Sequence, residues 1–413
     1  MTSDLLIVGA GIAGITAAVE AAETGLKVVL LEKRAYIGGK VTQFNKYFPK
    51  LCPPSCGLEI NIRRLRSNPF IKLFTLAEVS DVSGEAGKYE VNIKLKPRFV
   101  TDKCTSCGDC VQVCPESRNN DFNYGMDRTT SIYLPYGNSY PAKYVIDQAT
   151  CKGSLCNRCV DVCKYGAIDL SEQETAITVK ARSIIWATGW EPYDAKKLDM
   201  LGFGKFPDVI TNVMMERLAA PDGPTKGKIL RPSTNGGISS VAFVQCAGSR
   251  DENHLEYCSS VCCMASLKHT RYIREQYPDA EIHVHYIDVR SSGIFEDFYS
   301  DVQKDAKVHF LRGKVAKVSF DASGDRLVVE AEDTMTGARI KESVDLVILA
   351  TGMQPAVKDL PIDRSLIDSN GFIISDTPGM IGCGVNTNPK DVSSVVQEAT
   401  GSVLKAIQAI KGN

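Results

Sequence analysis

The sequence has no apolar run approaching the ~18 residues that span a bilayer. Nothing at its start reads as a secretory leader either, because Met1-Thr2-Ser3-Asp4 leads straight into Leu5-Leu6-Ile7-Val8. An excess of either charge is also lacking. Lys and Arg number 48 against 49 Asp and Glu, a net charge of −1, which leaves no electrostatic footprint for nucleic acid or anionic lipid. The expectation is a cytoplasmic chain without a membrane span, reaching a membrane only through partners. Histidine is scarce, with 5 residues, and no Ser-His-Asp arrangement or carboxylate pair stands out. His283 and His285 alternate on a strand and read as packing or hydrogen bonding rather than metal ligation; Arg63, Arg64 and Arg66 read as a solvated helix face. At 413 residues the chain exceeds one compact core, so two or three domains are expected.

Cysteine is what the sequence has in plenty. Fifteen are too many for structural disulfides in a reducing compartment and point to metal or redox chemistry. Cys104-x2-Cys107-x2-Cys110-x3-Cys114-Pro115 matches the bacterial ferredoxin run. Cys151-x4-Cys156-x2-Cys159-x3-Cys163 is a variant with a longer first gap and Lys164 in place of proline. A tight loop presents three thiolates to one cubane and the other run lends the fourth. This assigns Cys104, Cys107, Cys110 and Cys163 to one [4Fe–4S] cluster, and Cys151, Cys156, Cys159 and Cys114 to a second. Zinc also takes four thiolates, but the paired spacing argues against it.

Residues 4–32 read as strand, glycine turn, helix, strand. Gly9-x-Gly11-x-x-Gly14 follows an apolar strand and opens a helix that includes Ala13; Glu32 and Lys33 end the next strand. That is the context a dinucleotide-binding turn requires: glycines let backbone approach a pyrophosphate, the helix start favours its charge, and the acid meets ribose hydroxyls. Gly38-Gly39, the segments Ala187-Thr188-Gly189 and Ala350-Thr351-Gly352, and Gly382-Cys383-Gly384 resemble signatures of glutathione-reductase-like flavoproteins, which favours FAD. The usual Asp at position 383 is missing. Residues 76–95 read as a hairpin, 239–290 as a second β-α-β, 314–342 as a hairpin, 345–350 as a strand and 393–410 as a helix. The expected fold is α/β: a two-dinucleotide-domain, thioredoxin/glutathione-reductase-like flavoprotein with an inserted α+β ferredoxin domain. The expected division is 1–96, 173–237 and 343–413 for the FAD domain, 97–172 for the insert, and 238–342 for an altered NAD-like domain.

In that last domain the second glycine motif is absent. Gln245-Cys246-Ala247-Gly248-Ser249-Arg250-Asp251 and Tyr257-Cys258-Ser259-Ser260-Val261-Cys262-Cys263 stand in its place. A third cluster, plain buried packing, a Cys262–Cys263 disulfide, and a redox pair at Cys52 and Cys56 all remain open at this level.

Together with Tyr47-Phe48-Pro49-Lys50-Leu51-Cys52-Pro53-Pro54 and the ferredoxin runs, these segments resemble the heterodisulfide reductase A-subunit family, most closely its quinone-interacting, membrane-bound oxidoreductase branch. The resemblance covers essentially the whole chain. It implies that Cys246, Cys258, Cys262 and Cys263 hold a third [4Fe–4S] cluster, and that Lys268 approaches the flavin's reactive nitrogen, where a cation favours the reduced anion. It also implies that Lys390 and Asp391 belong to the flavin site. The partners it implies are a haem-containing membrane subunit together with a second flavin/iron–sulfur subunit, electrons passing between the quinone pool and adenylylsulfate reductase. The rival readings are an NAD(P)H-dependent flavoprotein reductase, a thiol–disulfide oxidoreductase, and membership of another heterodisulfide-reductase-like, flavin-bifurcating complex.

Overall fold

The structure is a computed structural model that describes residues 1–48, 50–374 and 379–412. Pro49, within one of the segments that carry the resemblance, lies outside the described residues. The first sheet is built on Thr2–Val8, flanked in parallel by Val28–Glu32 and then Ile71–Thr75 on one side and by Thr175–Trp186 on the other. Leu5, Leu6, Ile7, Leu30 and Leu31 are completely buried, as expected of parallel strands covered on both faces. The helix Ile12–Glu23 is rich in alanine, so it packs close to the sheet. The last helix, Val392–Lys411, lies against it, with Thr400 Oγ1 donating to Glu20 at 3.0 Å.

Thr175–Trp186 serves two sheets' worth of neighbours. Its second half pairs in parallel with Thr2–Val8 and with Met380–Gly382, and its first half pairs antiparallel with Tyr89–Leu95. Ala77–Ser83 completes the expected hairpin with Tyr89–Leu95. The register Thr175↔Leu95 sets the two ends of the ferredoxin insert side by side, so the insert leaves the host ladder intact. The insert has two short helices, Asp109–Val113 and Arg158–Val162, and two small hairpins, Ser117–Asn119 with Arg128–Thr130 and Ile132–Tyr133 with Val145–Ile146. Phe99, Val100, Ile132, Tyr144 and Ile146 form its core.

The second parallel sheet runs in the order Val209–Thr211, Leu346–Thr351, Ser240–Ala247, Glu281–Tyr286, Val308–Arg312. This differs from the sequence reading in three places. Val209–Thr211, expected in the FAD segment 173–237, is the edge strand of this second sheet, so the first crossing comes before it rather than at 238. The strand expected to open the final FAD segment is second in this sheet, between Val209–Thr211 and Ser240–Ala247, so the chain returns to the first domain after Gly352 rather than at 343. The region read as a hairpin at 314–342 is a three-stranded antiparallel meander of Val315–Phe320, Leu327–Glu332 and Arg339–Val344. The two chain crossings pair with each other, Trp190–Pro192 antiparallel to Met353–Pro355. Arg63 and Arg64 lie on an exposed helix face, with Arg63 pairing to Glu59 at 2.5 Å and Arg64 to Glu23 at 2.7 Å. Glu342 bonds His285 Nε2 at 2.9 Å and lies 3.0 Å from His283 Nδ1, so these histidines tie the meander to the sheet.

Candidate functional site: a cleft between two dinucleotide-type domains

A cleft of about 1900 Å³ runs from the glycine turn to the helix Cys262–Gln276. Its floor depends on residues without side chains. Gly9 has φ +104°, and a Cβ there would stand 2.4 Å from Ala187 O. At Gly14 a Cβ would stand 1.8 Å from Gly9 O, and at Gly39 2.9 Å from Gly11 Cα. Gly38, with φ +107°, pairs with Gly11 across an isolated bridge. A Cβ on Gly11, by contrast, would meet only Gly39 Cα, at 3.8 Å, so backbone is bare where a pyrophosphate would rest. Gly9, Gly11, Ala13, Glu32, Lys33 and Gly39 border the cleft, whereas Gly14 and Gly38 shape it from behind.

Glu32 is buried, and its carboxylate accepts from Ala10 N at 2.9 Å and Arg34 N at 2.8 Å. Burial raises its pKa, while these backbone donors and the Arg34 charge pull it down. A fixed carboxylate at the end of the second strand suits ribose hydroxyls. Ala187, Thr188 and Gly189 border the cleft too, held by Asn386, whose Nδ2 donates to Trp186 O at 2.8 Å. Gly384, at φ +80°, lets its turn approach Ala13 closely. Lys390 borders the cleft and pairs with Glu398 at 2.6 Å; Asp391 caps the last helix through Ser394 N at 2.7 Å. These residues fit FAD.

Ala350, Thr351 and Gly352 do not border the cleft and so depart from the cofactor role expected of them. Thr351 Oγ1 bonds Asn212 at 3.0 Å, and a Cβ on Gly352 would stand 2.3 Å from Ser249 Oγ. Their work is to close the second crossing against the cysteine-bearing turns.

Those turns bring Cys246, Cys258, Cys262 and Cys263 into one neighbourhood. Burial, and then the neighbouring thiols, push Cys246 up to about 11 and Cys262 higher still. Cys246 sits at φ +55°, and Ser260 N points at Cys258 Sγ at 3.3 Å. Cys52 and Cys56 do not border the cleft. They face Tyr47, whose phenol is pushed up by burial and then by the two thiols.

From the same helix as Cys262 and Cys263, Lys268 reaches the cleft. It is paired with Glu216 at 2.5 Å and donates to Lys46 O at 2.9 Å. Neither Glu216 nor its neighbour Arg217 was singled out from the sequence. Arg217 is almost wholly buried, donates to Asn123 Oδ1 of the insert at 2.8 Å, and lies 4.6 Å from the Phe122 ring centroid. The available signal was a charged pair inside the otherwise apolar stretch Val213-Met214-Met215-Glu216-Arg217-Leu218.

In the insert, one small void is lined by Cys104, Cys107, Cys110 and Cys163, and another by Cys114, Cys151, Cys156 and Cys159. These are the two sets expected from the spacing. Backbone N–H groups of Ala167 and Gly153 point at Cys163 and Cys151 Sγ at 3.3 and 3.4 Å, as around cluster sulfurs. Among the described residues, no three His, Cys, Asp or Glu side chains gather as ligands of a single ion. A cubane instead distributes its thiolates over four irons around such a void.

This is the architecture of a two-domain FAD oxidoreductase with a ferredoxin-type insert. Residues 4–50 match the FAD-dependent oxidoreductase family model and residues 97–117 the 4Fe-4S binding domain model. The fold is similar to thioredoxin reductase of Lactococcus lactis, with TM-score 0.55 at 14% identity and 100% of both chains covered. Thioredoxin reductase of T. acidophilum gives TM-score 0.53 at 15% identity, covering 100% of this chain and 98% of that one. Along almost its whole length the chain is related to heterodisulfide reductase A subunits, and it belongs to that family. It is 39% identical to the A subunit of the ferredoxin/F(420)H(2)-dependent CoB-CoM heterodisulfide reductase of Methanosarcina acetivorans, over 98% of this chain and 53% of the relative. Identity is 35% to the A subunit of the H(2):CoB-CoM heterodisulfide,ferredoxin reductase of Methanothermobacter marburgensis, over 98% of this chain and 64% of the relative. The chain thus spans between about half and two thirds of the length of these relatives.

Proposed function

We propose that the chain is the electron-relay component of a multi-subunit complex, holding FAD in the cleft, two [4Fe–4S] clusters in the insert, and a third on Cys246, Cys258, Cys262 and Cys263. The carrying observation is that the cleft's far wall is the helix that begins at Cys262 and Cys263, at the place where an NAD(P)H-dependent reductase would need a second glycine turn. FAD, when bound, exchanges electrons in pairs or singly, whereas a cubane passes one at a time. The chain's own residues orient and seal. The glycines and Glu32 seat the nucleotide, Lys268 presents a cation to the cleft, and Arg217 fixes the insert against the first domain.

For the physiological setting, one reading is the membrane-associated complex that links the quinone pool to adenylylsulfate reductase through a haem-containing membrane subunit together with a second flavin/iron–sulfur subunit. The Tyr47–Pro54 segment and the two cysteine-bearing turns of the second domain support it. The other reading is a heterodisulfide-reductase-like, flavin-bifurcating complex, and the methanogen relatives favour it. Among the described residues no helix is long and apolar enough to cross a membrane, so in the first reading the membrane contact belongs to a partner.

The test is the iron-to-flavin ratio of anaerobically prepared protein. About twelve irons per FAD means three cubanes. About eight means that the second-domain cysteines hold none, and returns the NAD(P)H-dependent and thiol–disulfide readings.

A further inference from the structure

Arg98 stands just past the host strand Tyr89–Leu95, where the chain enters the insert, and is only 7% exposed. Its guanidinium spans the wall between insert and host. On the insert side it donates to Lys143 O at 3.2 Å and to Tyr144 O at 3.4 Å. On the host side it donates to Thr75 Oγ1 at 3.0 Å and to Ala35 O. All of these acceptors are neutral. Arg118 and Arg217, also at the insert and little exposed, each reach a carboxylate at 2.9 Å, of Asp147 and Asp222, whereas Arg98 pairs with none among the described residues. Glu172 and Asp102 act on it only from further away. Both are exposed; Glu172 holds Phe99 N at 2.5 Å, and Asp102 is already paired with Lys143.

A guanidinium stays protonated when buried, and a buried cation without an anion against it is costly. What lies behind the carbonyls accounts for it. Tyr144 lines the first void together with Cys104, Cys107, Cys110 and Cys163. Phe99 and Val100, which follow Arg98, pack with Cys104 and Cys110 in the core of the insert. Burial pulls Arg98 down, and Tyr133, Glu172 and Cys104, in that order, oppose the pull. A cubane on four thiolates is a net anion and gains one more negative charge on reduction. Charge, burial and hydrogen bonding around it set its potential.

We propose that Arg98 is the built-in counter-charge of the first cluster, a buried guanidinium that stabilises the reduced state and draws electrons to that cluster. The inference rests on the electron-relay reading and adds the side chain that sets one of its potentials. In the step concerned, one electron enters the cluster, reducing it and oxidising the donor, and no proton or group moves. Arg98 acts through space as a positioning residue. Because it is buried, salt and water screen it little.

The experiment is a reductive titration of anaerobic holoprotein with dithionite, cluster signals being followed by electron paramagnetic resonance, in wild type, Arg98→Gln and Arg98→Lys. Glutamine keeps an amide for the carbonyls and loses the charge; lysine keeps the charge and loses the forked geometry. In Arg98→Gln one of the insert's two steps should become about tenfold harder to reduce, about 59 mV lower for a one-electron couple. The other step should move less, at unchanged iron and flavin content, and Arg98→Lys should stay close to wild type. Equal potentials in wild type and Arg98→Gln would overturn the counter-charge role. A shift shared equally by both steps would overturn it as well, being the mark of a loosened insert. If Arg98→Gln loses iron, Arg98→Lys decides: intact clusters at the wild-type potential support the charge, and loss of iron there too overturns it. Wild type lacking both insert signals would overturn the relay reading itself.

Discussion

Lys268 Nζ lies 2.5 Å from Glu216 Oε1, and His269 Nε2 meets the same oxygen at 2.6 Å, all three side chains being buried at the edge of the cleft. The other Glu216 oxygen accepts from Asn45 N at 2.8 Å. One carboxylate therefore joins the first domain to the helix that carries Cys262 and Cys263. Burial alone would raise the Glu216 carboxyl, but Lys268 and His269 outweigh it and hold it at about 2, against an ordinary 4.5. Burial lowers His269, so at neutral pH it contributes a hydrogen bond while Lys268 supplies the charge.

Because Glu216 is depressed in the folded protein, its contribution is complete above pH 4.5 and is lost as the pH falls toward 2. Glu216→Gln should erase that part of the acid dependence. At neutral pH it should destabilise by about 3–5 kcal/mol, because Lys268 is left as a buried unpaired charge. Lys268→Met should be similarly costly, and the double variant should recover part of the loss. Denaturant titrations followed by flavin fluorescence measure all three. Additive losses in the double variant would show that the pair is not coupled.

The glycine turn gives a second prediction. Gly14→Ala places a methyl 1.8 Å from Gly9 O, so the strand–turn–helix cannot close and the protein should purify without FAD. Gly25→Ala, by contrast, replaces a positive-φ glycine, at +90°, whose Cβ would meet nothing within 4 Å. That variant should cost about 1 kcal/mol and keep its flavin. Flavin absorbance per protein separates the two. Full flavin in Gly14→Ala would contradict that close packing.

Much of this was readable because it is local. The Gly9–Gly14 turn, the alanine-rich helix and the two cysteine runs each lie within a single supersecondary unit, where spacing dictates geometry. The pairing of Cys114 with the second run's void and Cys163 with the first follows from the same spacing. The misplaced boundary at 343 has a physical reason. Both crossings end an apolar strand with Ala-Thr-Gly, but strand order in a parallel sheet is fixed by tertiary packing, which set Leu346–Thr351 beside Ser240–Ala247. Glu216 and Arg217 escaped notice because their partners are distant in sequence: Lys268 pairs with Glu216 from the neighbouring helix Cys262–Gln276, and Asn123 meets Arg217 from another module.

Arg217 carries a third prediction. Its guanidinium bonds Asn123 Oδ1 at 2.8 Å and Asp222 Oδ1 at 2.9 Å, while Gln43 Nε2 holds Phe122 O at 2.8 Å beside it. Arg217→Met keeps the bulk but strands Asn123 and loses the cation over Phe122. The insert should keep its clusters yet loosen on its host, seen as faster proteolysis between residues 97 and 172 at unchanged iron content. An unchanged cleavage pattern would mean that the remaining ties, the ring contacts of Tyr36, Phe122 and Tyr136 together with the bonds of Gln43 to Phe122 O and Arg98 to Thr75, hold the insert without Arg217.

The third cluster is tested by Cys258→Ala. Cys258 sits on a turn outside the helix, half-exposed, and its Sγ accepts from Ser260 N at 3.3 Å, so alanine there disturbs no packed core. Cys246, Cys262 and Cys263 are buried, so the same substitution at them would confound cluster loss with cavity formation. If the four thiolates hold a cubane, the variant should lose about four irons per FAD. It should keep its flavin, because Gly9, Gly11 and Glu32 are untouched, and flavin reduction by the partner should slow. Iron analysis and flavin absorbance on one preparation decide between the alternatives. Unchanged iron with unchanged flavin would leave the second-domain cysteines without a cluster, as packing residues or a thiol pair, and confine the iron–sulfur relay to the insert.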